Sequence, residues 1–77
     1  MNKLLVEDYI KEIIDEVEDN RNGPQNDFVA GEMLGFNIAL SKLQRLLIAE
    51  NPDAPKEYGL GFDIDDFVIN GKLTEKE

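Results

Sequence analysis

The sequence predicts an all-α fold: an antiparallel helical hairpin, a short C-terminal helix packed on the long second helix, and a homodimer built through that second helix. Three observations carry this expectation. Apolar residues recur at three- and four-residue steps over two long stretches. A Gly23-Pro24 break separates the stretches. The second stretch has more apolar circumference than one neighbour can cover.

Helix one is predicted over residues 3–20. Val6, Tyr9, Ile10, Ile13, Ile14 and Val17 fill one arc of roughly 140°. Glu7, Asp8, Lys11, Glu12, Asp15, Glu18 and Asp19 share the other side. Gly23 suits a left-handed helix terminator, and Pro24 forbids continuation. Asn26 or Asp27 can cap the helix that follows.

Helix two is predicted over residues 25–50. Val29, Met33, Phe36, Leu40, Leu43 and Leu47 alternate four- and three-residue steps. A second stripe holds Phe28, Gly31, Gly35, Ala39 and Leu46, with Ile38 at its edge. The two stripes span roughly 220°. Asn37, Ser41, Gln44 and Arg45 are left for water. The short link makes the helices antiparallel neighbours. It aligns Val17 with Val29, Ile13 with Met33, Ile10 with Phe36 and Val6 with Leu40.

Pro52 and Pro55 mark a rigid connector after helix two. Residues 58–62 are expected to be extended. Residues 63–71 read as a short helix, with Asp63 as cap, Asp65 and Asp66 in the first turn, and Gly71 as its stop. Leu60, Phe62, Phe67 and Ile69 are expected to cover the second stripe of helix two. The domain is expected to span residues 1–71, with a disordered polar tail at 72–77.

Composition narrows the function. The 77 residues include no cysteine and no histidine, so disulfides and the usual zinc ligands are missing. A chain this short needs very regular helix packing or self-association to be stable. Its 17 acidic and 8 basic side chains give a net charge of −9. That charge repels nucleic-acid phosphates and anionic lipid, and favours basic partners. No apolar run approaches the roughly 18 residues of a membrane span, and residues 1–8 do not form a signal peptide. The cytoplasm is the expected compartment.

No catalytic, cofactor-binding or metal-binding residues are expected. Ser41 and Thr74 are the only non-phenolic hydroxyls, and no histidine activates them. Counted from Asp63, a calcium-binding helix–loop–helix pattern would need glycine at the sixth position and glutamate at the twelfth. Val68 and Thr74 stand there instead. Gly59-Leu60-Gly61 lacks the third glycine of a nucleotide loop and reads as a turn. Glu12 with Asp15, and Glu16 with Asp19, make an E-x-x-D spacing. It resembles half of the magnesium site in all-α nucleotide pyrophosphohydrolases of the MazG type. That resemblance implies a metal-dependent hydrolase with Glu12, Glu16 or Glu32 as ligands across a dimer.

Gly31, Gly35 and Ala39 suggest instead a close helix–helix approach, because each interior glycine costs about 1 kcal/mol relative to alanine. Glu32 falls between the two apolar stripes and would suit a paired acid that fixes an interface. Asp15, Glu16, Glu18 and Asp19 crowd the negative end of helix one, where cations are preferred. The leading expectation is a small non-enzymatic interaction module, a homodimer that binds and regulates or inhibits a larger protein. Phe28, Gly31, Glu32, Gly35, Ala39 and Leu46 would form its interface. Asp15, Glu16, Glu18 and Asp19 would meet a basic or nucleic-acid-binding protein, with no direct nucleic-acid or membrane contact. A narrower reading makes those acids a mimic of DNA phosphates. In size and charge the chain is similar to small proteins of bacteriophages and mobile elements, which implies an inhibitor of a defence or nucleic-acid enzyme.

Overall fold

The computed structural model describes residues 2–74. Four helices follow in order: α1 (Lys3–Asn22), α2 (Asp27–Glu50), α3 (Ala54–Glu57) and α4 (Ile64–Asn70). Among the described residues no strand forms. The long α2 lies against each of the other three.

The Asn2 carboxamide oxygen starts α1 by accepting from Leu4 N and Leu5 N, at 2.9 and 3.3 Å. The helix buries Val6, Ile10, Ile13 and Val17, and Ile14 packs beside them. Tyr9 does not join this face: it is 56 % exposed. It flanks the contact with α2 rather than entering it. The end of α1 also differs from expectation. Gly23 is extended (φ −99°, ψ −174°), not left-handed, because a following proline disfavours helical backbone in the residue before it. Gln25 takes over the capping. Its Nε2 donates to Asn20 O at 2.8 Å and Gly23 O at 3.0 Å.

Asn26 caps α2 by accepting from Val29 N at 2.9 Å. Leu40 and Leu47 are buried, and Met33, Phe36 and Leu43 pack against the same core. The proline connector contains one helical turn, α3, because Pro55 stands in its first turn where no N–H is needed. Tyr58 and Gly59 then turn the chain rather than extend it. Gly59 is left-handed (φ 83°), and Leu60 N and Gly59 N close back onto Pro55 O and Lys56 O. That pair of bonds is a Schellman cap.

Asp63 caps α4 through Asp66 N at 3.1 Å. Gly71 ends it at φ 72°, with its N–H on Phe67 O at 2.8 Å. Arg21 supplies the remaining cap from the last turn of α1. Its guanidinium donates to Phe67 O, Val68 O and Ile69 O. Leu60, Phe62, Ile64, Phe67 and Val68 complete the core. The Phe62 and Phe67 rings meet edge-to-face at 5.3 Å.

The C-terminal segment does not lie on the second stripe of α2. It lies on the side that carries Asn37, Ser41 and Gln44, which the sequence pattern assigns to water. Gln44 is only 4 % exposed. Its Nε2 donates to Leu60 O and Phe62 O, both at 2.9 Å. Asn37 Nδ2 reaches Asp65 Oδ1 at 2.9 Å. The physical reason is the backbone of the loop between α3 and α4. Its inward carbonyls need donors, and an apolar helix face offers none. Arg45 alone of the four polar residues is exposed, and Ile69 points outward.

Replacing Gln44 with leucine strands both carbonyls and is expected to cost about 2–4 kcal/mol. Urea unfolding measures this; a loss below that of an ordinary surface substitution would show that the carboxamide does not hold the segment.

Candidate interaction surface

With α1 on one flank of α2 and α4 on the other, no other element among the described residues covers the outer face of α2. Phe28 is 74 % exposed and Leu46 is 69 % exposed. Gly31, Gly35 and Ala39 are exposed between them. A Cβ placed on Gly31 or Gly35 would have no neighbour within 4 Å. Glu32 is half-buried on the same face, and Lys42 lies there exposed. Neither is in an ion pair among the described residues. The six residues picked out by spacing share one face, exposed at five of them and half-buried at Glu32, and no other element among the described residues presses on it.

Part of this surface lies outside the helical spacing pattern of α2. Leu5, Tyr9 and Val6 from α1 join Ala39, Lys42, Leu43 and Leu46 from α2 around an open groove with almost wholly apolar walls. Leu5 stands four residues before Tyr9, and that step was the available signal. Tyr9 was placed in the core arc, which hid it. On the opposite edge of α2, Leu34 and Ile69 border a second depression that also touches Arg21, Met33 and Val68.

The acidic side of α1 is a separate surface. Asp15, Glu16, Glu18 and Asp19 are all exposed, with no ion pair among the described residues. Glu12, Asp15 and Glu16 border a shallow depression beside Tyr9 and Ile13. Among the described residues no three acidic side chains converge as a metal site would require. Glu12, Glu16 and Glu32 are thus not brought together within one chain. Ser41 Oγ donates to Asn37 Oδ1 at 3.3 Å. Lys3 pairs with Glu7 at 3.7 Å on the surface, where such a pair contributes little.

No protein family, curated protein or solved structure matches this chain. Among the described residues no helix is long and apolar enough to cross a membrane.

Electrostatics are distinctive at the end of α4. The Thr74 hydroxyl and the Asn70 amide both donate to the Asp66 carboxylate, and Lys72 lies near. These contacts hold the Asp66 carboxyl below its ordinary value, the Thr74 bond most strongly. Lys72 and Thr74 of the expected tail take part in them; residues 75–77 lie outside the described residues. A lowered folded-state pKa stabilises the fold fully above the ordinary aspartate value, and that contribution disappears as pH falls through the lowered one. An NMR titration is expected to give Asp66 a midpoint below that of a free aspartate, and Thr74→Val to raise it. An unshifted midpoint in both proteins would contradict the tether.

Proposed function

We propose that this chain is a small non-enzymatic interaction module that self-associates through the outer face of α2 and offers the acidic side of α1 to a basic partner protein. One observation carries the reading: the most exposed large apolar side chain on α2, Phe28, shares an uncovered face with Leu46 and three small residues. Exposed apolar residues scattered singly are ordinary, but here two large ones share a single helix face with small residues between them. Two glycines within the helix add weight. They cost helix stability without relieving any contact inside the chain, which a close intermolecular approach would offset.

The acidic side supports the second half of the proposal. Acids one helical turn apart lie about 5–6 Å from each other, near the spacing of phosphates along a nucleic-acid strand. The row is not neutralised within the described chain. A basic groove that otherwise holds nucleic acid is a suitable mate, so inhibition of a nucleic-acid enzyme is a narrower form of the same reading.

Light scattering after size exclusion is expected to report a mass that rises from monomer to dimer with concentration. Gly35→Ala separates the two roles of the glycine. It is expected to raise monomer stability by about 1 kcal/mol while weakening the dimer. Gains in both would argue against close approach at this point. For the acidic side, a column of the wild-type chain and one of the variant with Asp15, Glu16, Glu18 and Asp19 changed to lysine are compared on host extract. A basic protein held by the first and lost from the second is expected; identical proteins on both would remove the acidic row from the reading.

A further inference from the structure

We propose that the outer face of α2 pairs with the same face of a second copy in one antiparallel register, which rests on the self-association reading above. Phe28, Glu32, Gly35, Ala39, Lys42 and Leu46 descend that face at alternating four- and three-residue steps. This is a heptad seam, and its chemistry is palindromic about the level of Asn37. Turning a second copy end for end about that level sets Phe28 against the partner's Leu46, Glu32 against the partner's Lys42, and Gly35 against the partner's Ala39. Each pairing occurs twice. Large side chains meet at the two ends, opposite charges meet next, and small residues meet at the centre where the helices are closest. A parallel pairing would instead set Glu32 against glutamate and Lys42 against lysine.

The groove beside α1 supports the same register. Leu5, Tyr9, Leu43 and Leu46 wall it at the Leu46 end of the seam. The partner's Phe28 arrives there, and Phe28 is 74 % exposed in its own chain. Knob and hole lie on one surface, so both copies are satisfied together and the contact closes as a two-fold dimer. From Phe28 to Leu46 the seam runs about 27 Å along the helix.

Charge exchange tests the register. Glu32→Lys and Lys42→Glu are prepared separately, checked for unchanged helicity by circular dichroism, and followed by sedimentation from micromolar to millimolar concentration. Each alone places like charges opposite at two points, and is expected to weaken the dimer roughly 10- to 100-fold. Mixing the two variants restores both opposite-charge pairs and is expected to give a heterodimer of near wild-type strength. Weakening without recovery on mixing would overturn the pairing. A dimer indifferent to all of these changes would overturn the register while leaving self-association in place. A wild-type chain that stays monomeric at about 1 mM would overturn both.

Discussion

The Gln44 carboxamide, set between α2 and the carbonyls of Leu60 and Phe62, is the contact on which the architecture turns. The chain that leaves α3 cannot continue as helix beyond the Gly59 cap, so its next carbonyls must find donors elsewhere. Gln44 meets two of them from inside the core, where an unpaired carbonyl is costly. Asn37 holds Asp65 further along the same side. Together they fix the side of α2 on which the C-terminal helix lies. The covered and open faces of α2 both follow from that choice.

The resulting molecule has two unlike surfaces. On α2, the uncovered face is apolar at both ends and small in the middle, with one acid and one base between. On α1, Asp15, Glu16, Glu18 and Asp19 face away from the core, with no ion pair among the described residues. The first surface favours close, shape-dependent contact. The second acts through its field, which is long-ranged at low salt and screened at high salt. The proposed interaction module would use the first to hold a geometry and the second to attract a partner.

Much of the fold was legible because it depends on local spacing. The core positions Val6, Ile10, Ile13 and Val17 follow from helical periodicity. The caps at Asn26 and Asp63, and the left-handed stop at Gly71, follow from the chemistry of helix ends. Misreadings arose where a residue's role depends on a distant segment. Gln44 resembles any surface glutamine until the loop from Gly59 to Phe62 is placed beside it. Tyr9 satisfies the periodicity of the buried face, yet the contact with α2 is too narrow to include it. Gly23 is permissive by itself, but the proline after it decides its conformation. For the candidate surface, spacing grouped Phe28, Gly31, Gly35, Ala39 and Leu46. Leu5 lies outside that grouping because it joins the face only through the packing of α1 on α2, and Lys42 lies outside it because a charged side chain does not belong to an apolar stripe.

Arg21 ties the end of α1 to carbonyls that lie 46 to 48 residues further along the chain. The hairpin between α1 and α2 closes over a link of a few residues, whereas this tie closes a loop roughly ten times longer. Loop-closure entropy grows by about 0.6 kcal/mol for each doubling of length, so the hairpin is the easier of the two to assemble. Closure cost alone therefore favours the hairpin as the earlier contact and the Arg21 clasp as the later one. On a ribosome, the guanidinium is made long before its acceptors and must wait, solvated, until α4 emerges to receive it.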